Sequence, residues 1–311
     1  MSDGLLWSAP SVAIERPWNC EYKRVTGGDV RGMTADTRLH HILSLGAGVQ
    51  STTLYLMAMR GDFPCEAAIF ADTQEEPEAV YAHLEWLKAQ DGVPIMVRTR
   101  GSLGDDLARG ENSTRQRFAS IPAFTSGGNG ASGMTRRQCS REYKTQVVEQ
   151  TIRREIVGLA PGRALPRGVQ VIQYIGISWD ERSRAFDVER RMKRGWKAVF
   201  PLLERQITRA NCREFLNDTV PHEVPKSACV FCPFHDNHQW AMLKARGGKD
   251  WARIVQIDTA LRTPGTIVNR NLNQSLYLHR SCKPITEIDF ENSKQASFDG
   301  FLMECQGMCG V

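Results

Sequence analysis

The sequence contains no apolar run approaching the length of a membrane span, no internal repeat and no low-complexity block. Neither a spanning helix nor a repeat array is expected. A secretory leader is missing as a pattern. Leu5-Leu6-Trp7 is too short for an apolar leader core, and Asp3 stands where a basic flank belongs. Charge of one sign does not dominate. A net charge of +5 permits a polyanionic partner without demanding one. What remains is ordinary globular composition, 41% hydrophobic and 24% charged over 311 residues, enough for one large domain or two smaller ones. Nine cysteines, an odd number without a leader pattern, point to a reduced cytoplasmic protein. Some of those cysteines would do chemistry and others would pack.

Residues 1–37 read as a weakly patterned extension, 38–225 as a nucleotide-binding α/β domain, and 226–311 as a cysteine-bearing helical region with a tail. Leu39 to Leu45, Ala67 to Ala71, Pro94 to Val97 and Val169 to Ile177 read as strands. Ser51 to Arg60 reads as a helix, and so does the stretch after Pro77, where Val80, Leu84 and Leu87 recur at helical spacing. This alternation predicts an α/β fold: a Rossmann-like, twisted, mostly parallel sheet flanked by helices. Residues 101–135, rich in Gly, Ser and Asn, read as one long loop, a candidate active-site cover. Arg141 to Val157 reads as a basic helix. Further on, Thr208 caps a helix whose apolar side includes Ala210, Phe215 and Leu216, and His238 to about Leu261 reads as one helical stretch.

The first strand runs straight into Ser44-Leu45-Gly46-Ala47-Gly48-Val49-Gln50-Ser51-Thr52. A loop between a parallel strand and a helix exposes backbone N–H groups at the positive end of the helix dipole. Gly46 and Gly48 would let that backbone approach phosphate oxygens. No Gly-Lys-Ser/Thr follows, so this is not a Walker A loop, and Ser51 excludes Gly-x-Gly-x-x-Gly. Short glycine motifs are weak signals, and a turn without a ligand is the plain alternative. Asp72, at the C-terminal end of the second strand, would lie where open α/β sheets bind ligands, as a nucleotide or Mg²⁺ contact.

Leu45-Gly46-Ala47-Gly48-Val49-Gln50-Ser51 resembles the PP-loop of the adenine nucleotide alpha-hydrolase superfamily, more narrowly that of the phosphoadenylyl-sulfate (PAPS) reductase-like family. Gln50 stands where reductases commonly carry Gln and ATP pyrophosphatases carry Asp. Phe70-Ala71-Asp72-Thr73-Gln74-Glu75-Glu76-Pro77-Glu78 is similar to the reductases' Asp-Thr-Gly…Phe-Pro-Glu-Thr segment. Gly176 to Arg184 is similar to an arginine-rich stretch of theirs, with Ser178 and Trp179 in place of its paired arginines. Phe200-Pro201-Leu202 matches a following element, so the resemblance covers roughly residues 39–235 in order. It implies an adenine nucleotide, ATP or a relative, held by Ser44, Gly46, Ala47, Gly48, Val49, Gln50, Ser51, Asp72, Thr73, Gly176, Arg182 and Arg184.

Cys229-Val230-Phe231-Cys232 has the spacing of two thiolates on one metal or cluster; buried packing or half a zinc ribbon is the plain alternative. Cys139 lies among Arg136, Arg137 and Arg141, which would favour a thiolate. The set resembles that of iron–sulfur sulfonucleotide reductases, except that Ser140 replaces their second upstream cysteine. Three-cysteine [4Fe–4S] sites belong to PP-loop enzymes that thiolate tRNA. The resemblance therefore implies a cluster on Cys139, Cys229 and Cys232, with Cys309, Cys305 or Cys212 as a further donor and zinc as the alternative metal. Glu304-Cys305 and Cys309-Gly310 each match part of the reductases' tail, whose cysteine attacks the sulfonate. Cys305 and Cys309 are thus candidate nucleophiles as well. Cys20, Cys65 and Cys282 are assigned to packing or surface.

Two basic stretches, Arg136 to Arg154 and Arg182 to Arg194, read either as solvated helix faces or as phosphate contacts. Tyr143, Trp179, Phe186 and Trp196 are the aromatics among them, a thin basis for a single-strand stacking platform. Three functions follow as expectations. The favoured one is ATP-dependent adenylation of a nucleobase in tRNA or DNA, then sulfur transfer from a sulfur donor. The second is cleavage of APS or PAPS to sulfite, with a thioredoxin-like reductant. The third is a zinc-bound nucleic-acid-binding protein with a degenerate nucleotide site. No membrane partner is expected.

Overall fold

The computed structural model describes residues 37–116, 120–126, 132–263 and 275–291. In chain order the regular elements are β1 (Arg38–Leu45), α1 (Val49–Met59), β2 (Ala67–Asp72), α2 (Glu78–Lys88), β3 (Ile95–Thr99), α3 (Leu103–Arg109), β4 (Phe124–Ser126) and β5 (Ser132–Met134). Then come α4 (Gln146–Thr151), β6 (Val169–Tyr174), α5 (Ser183–Arg190), β7 (Trp196–Val199), α6 (Pro201–Glu204), α7 (Arg209–Thr219), α8 (Asn237–Arg246), α9 (Gly248–Ala260) and β8 (Leu276–Tyr277). The chain is an α/β protein on a five-stranded parallel sheet of order β3-β2-β1-β6-β7, flanked by helices and consistent with the Rossmann-like class. Among the described residues no helix is long and apolar enough to cross a membrane.

The chain divides into two compact units. The first comprises residues up to Ile69, Ala79–Met96 and Leu159–Pro225. The second comprises Phe70–Glu78, Val97–Gly158 and the residues from Lys226 on. In the first unit β1 pairs in parallel with β6 from Arg38↔Val169 to Leu43↔Tyr174, and β6 with β7. Strand β1 alternates near its start and is buried on both faces from Ile42 on, as a covered parallel strand requires. Helix α1 is buried along nearly its whole length. Helix α2 shows the expected stripe, with Val80, Leu84 and Leu87 buried, and His83 buried beside them.

The second unit has its own antiparallel sheet, β5-β4-β8, and an apolar cluster that includes Leu103, Tyr143, Phe231, Trp240, Ile254 and Leu278. Three sequence expectations are corrected and a fourth, the basic helix, is refined. Residues 101–135 are not one loop, since they contain α3, β4 and β5. Ser102 caps α3 by accepting from Asp105 N, Gly110 ends it in the left-handed region, and Leu103 and Leu107 bury its apolar side. The helical stretch after His238 is two helices, because Gly247 and Gly248 both take positive φ. The buried side of α7 is Cys212, Phe215 and Leu216, while Ala210 is exposed. The expected basic helix is a rod from Ser140 to Ile156 that is π-wound at both ends. Its Lys144 is buried against Glu76 at 2.7 Å, and Arg98 grips Glu155. Part of its charge is structural.

Candidate nucleotide and cysteine sites

In the first unit, the turn from β1 into α1 folds around one oxygen. Gly46 N and Gly48 N each donate to Ser51 Oγ at 3.2 Å. Between them Ala47 sits at φ 55°, left-handed and fully buried, a conformation costing a non-glycine residue about 1 kcal/mol. Successive N–H groups turned to a common point in this way form a concave anion-binding nest. Helix α1 starts at once, Gly48 being its extended N-cap and Val49 its first residue, buried to 3% exposure. Ser44, at the end of β1, accepts from Gln173 Nε2 at 2.6 Å, which fixes the base of the turn to β6.

Gln50 is fully buried, and its amide is used at both ends. Nε2 donates to Glu181 Oε2 at 2.7 Å and to Ser178 Oγ at 3.3 Å, while Oε1 accepts from Arg209 Nη1 at 2.8 Å. Glu181 also receives Arg184 Nη1 at 2.6 Å, and Asp180 Oδ1 accepts Arg209 N at 3.0 Å. The loop is thereby joined to the segment after β6, where Gly176 lies, and to the head of α7. Arg184 belongs to this network. Arg182 does not: it is exposed, with its guanidinium 5.4 Å from the Trp179 ring. Arg209 is not among the candidates that the sequence offers. The one available signal was Arg209 directly after a capping Thr208.

Behind the loop, Thr52 Oγ1 meets His83 Nε2 at 2.9 Å, and His83 Nδ1 meets His222 Nε2 at 2.8 Å. Trp86 stacks on His83. Burial, and secondarily His222, pushes the His83 pKa down to about 3, so this imidazole is neutral at pH 7.

In the second unit, the segment expected at a nucleotide is largely occupied with scaffolding. Asp72 Oδ1 accepts Gln74 N at 2.7 Å, closing a turn in which Gln74 has φ 61°. Thr73 Oγ1 is 3.3 Å from Cys229 Sγ. Glu75 accepts from Ser102 Oγ at 2.6 Å, Gly104 N at 3.0 Å and Arg253 Nε at 2.9 Å. A side chain at position 104 would collide with the Glu75 carboxylate, so the glycine there is a packing requirement.

The Cys-Val-Phe-Cys turn sits on this scaffold. Val230 N donates to Glu75 O at 2.7 Å, and Cys229 O accepts from Cys232 N and from His235 Nε2, both at 2.9 Å. His235, buried and near the Lys226 ammonium, has its pKa lowered to about 4, with burial the larger cause. Cys229 and Cys139 belong to the same apolar cluster, the first buried and the second half-buried. Arg137 donates to Ser140 Oγ at 2.9 Å and lies over the Phe234 ring at 4.9 Å. The neighbourhood of Cys139 is thus tied to that of Cys232 through Phe234.

These contacts place the three cysteines in one region without completing a donor set. Among the described residues, no group of three or more His, Cys, Asp or Glu side chains is gathered so as to hold a metal ion. Cys305 and Cys309 lie outside the described residues. The described side chains therefore do not by themselves fit a cluster, and no reaction step is assigned to one. Cys212 is buried in α7 of the first unit; burial raises the thiol pKa of Cys65 to about 12 and also raises that of Cys282.

No protein-family model matches the chain, and the searches of curated proteins and of solved structures gave no significant match.

Proposed function

We propose that the protein is a PAPS-reductase-like PP-loop enzyme of sulfur chemistry that binds an adenine nucleotide, activates a nucleobase with ATP and transfers sulfur to it. The observation that carries this reading is the loop: two backbone N–H groups converge on Ser51 Oγ, beside a buried Gln50 that spans Glu181 and Arg209. Such a turn can offer donors and guanidinium charge to a triphosphate whose oxygens replace Ser51 Oγ and the Gln50 and Glu181 acceptors.

In the reaction, a nucleobase carbonyl oxygen attacks the α-phosphorus of ATP, and pyrophosphate leaves. A sulfur nucleophile at the oxidation level of hydrosulfide then attacks the same carbon. The C–O bond breaks and AMP departs with the oxygen, leaving a C=S bond and a released proton. Adenylation turns a poor leaving oxygen into a good one. The role of Arg209 and Arg184 is to offset phosphate charge. Cys139, Cys229 and Cys232 are the sulfur-handling side of the proposal, with iron–sulfur binding requiring a donor beyond the described residues.

The test is titration calorimetry of the full chain with ATP, APS and PAPS, for wild type and Gln50→Ala. The proposal expects ATP binding that Gln50→Ala weakens at least about tenfold, the loss of hydrogen bonds to charged groups. Binding of APS or PAPS with no affinity for ATP would replace it by the reductase reading. No binding of any of the three would leave the glycine turn as a structural turn only.

A further inference from the structure

Helix α5 and the short 3₁₀ turn before it present a stripe that neither the loop nor the core uses. Trp179, Arg182, Phe186 and Arg190 are spaced by three, four and four residues, which on a helix puts them on one face. The packed face of α5 is formed by Ala185 and Val188. Phe186 is 73% exposed and Trp179 37% exposed. Aromatic and cation alternate along the stripe, and Arg182 already lies over the Trp179 ring. Among the described residues Arg190 pairs with Asp187 at the surface, the kind of contact that contributes little and exchanges readily.

We propose that this stripe docks a single-stranded RNA segment, with Trp179 and Phe186 stacking on bases and Arg182 and Arg190 contacting phosphates. The inference rests on the nucleobase-acceptor reading above and adds where the acceptor strand lies. Interleaving is the deciding feature. A helix that lies on a membrane separates its apolar face from its cations, whereas a single-strand platform mixes π-faces with backbone-tracking charge. A 3₁₀ turn rising ~2.0 Å per residue, followed by helix at ~1.5 Å, separates Trp179 from Phe186 by roughly 12 Å along the axis. That is about three to four stacking steps of ~3.4 Å. Folded RNA offers unstacked bases in its loops, whereas duplex DNA keeps its base faces covered. The stripe also starts beside the loop, because Glu181, two residues from Trp179, receives Gln50 Nε2.

The experiment is fluorescence anisotropy of a short labelled oligouridylate with the full chain, with oligodeoxythymidylate and phosphatidylserine-containing vesicles in parallel. Expected are about tenfold weaker RNA binding for Phe186→Ala and for Trp179→Ala, and a salt slope reduced by about 0.7 in Arg182→Ala. RNA affinity unchanged in both aromatic variants would overturn the proposal. Tighter binding of the deoxy strand, or vesicle binding that depends on Phe186 while RNA is ignored, would also overturn it. ATP affinity of Phe186→Ala, measured on the same samples, separates the two readings. If wild type binds no ATP but binds RNA through Phe186, the surface stands and the enzyme reading falls. If ATP binds and RNA binding is indifferent to Phe186, the reverse holds.

Discussion

The backbone N–H groups of the glycine turn close on an acceptor near in sequence, while the Cys-x-x-Cys turn rests on a scaffold far away in it. Ser51 reaches Gly48 and Gly46 three and five residues back. Cys229, by contrast, meets Thr73 across 156 residues, and the turn leans on Glu75, itself held by Arg253 across 178. The backbone turn at Gly46 and Gly48 is therefore closed within a short segment, although Gln50 and Ser44 anchor it to distant residues, whereas the support of the cysteine turn comes from across the second unit. A local device keeps its shape when distant parts are perturbed. A long-range one should be lost with any of its supports.

The largest expected effect comes from the buried pair in the second unit. Lys144→Met removes the ammonium facing Glu76, both side chains being at most 5% exposed. A loss of about 3 kcal/mol is expected, read as a lower denaturant midpoint. Cys229 should become readily alkylated while ATP affinity at the loop is kept. Loss of both together would break the comparison.

Ser51→Ala should cost about 1–2 kcal/mol, because it leaves two loop N–H groups without their shared acceptor. Bound ATP should recover most of that loss, since its phosphate oxygens can accept from the same donors. Thermal denaturation with and without nucleotide measures the difference. Equal losses in the two conditions would argue that the loop donors do not face the ligand.

Acid should loosen both regions through their neutral imidazoles. His83 and His235 have pKa values lowered to about 3 and about 4, against 6.5 for the exposed side chain. Below pH 6.5 the unfolded chain takes up protons that the folded chain refuses. Their contribution is therefore complete above that pH and is lost as pH falls toward 4 for His235 and toward 3 for His83, at up to about 1.4 kcal/mol per pH unit for each group. Denaturant melts at pH 7, 6 and 5 should show the decline, and His83→Asn should flatten it. A stability that rises on acidification would contradict the neutral assignment.

The smallest effect belongs to the exposed stripe. Phe186→Ala should change stability by less than about 0.5 kcal/mol, because the ring is 73% exposed. A larger change would show that the ring packs against something.

The same contrast explains what the sequence revealed. Strand β1, the glycine turn and helix α2 could be read directly, since alternation, small residues and an i, i+4 stripe are all short-range signals. Helix α3 could have been read from Ser102, Asp105 and Gly110, but the Gly/Ser/Asn content around it outweighed that local cap. The break in the C-terminal helical stretch lies at Gly247-Gly248, where two successive glycines take positive φ, a backbone requirement that helical patterning on either side does not register. Arg209 could not be read as a partner of Gln50, because only the pairing of strands brings residues 159 apart together. The scaffolding role of Glu75 was equally hidden. Its partners are Ser102, Gly104 and Arg253, and nothing in the spacing of those residues marks them as one cluster.

The most direct test of the account is to incubate air-free full-length protein with ATP, RNA and a hydrosulfide donor, and in a parallel sample with PAPS and a dithiol. AMP, pyrophosphate and sulfite are then measured together. The account predicts AMP and pyrophosphate formed in step with sulfur incorporated into RNA, and no sulfite. Sulfite released from PAPS without any conversion of ATP to AMP would contradict it.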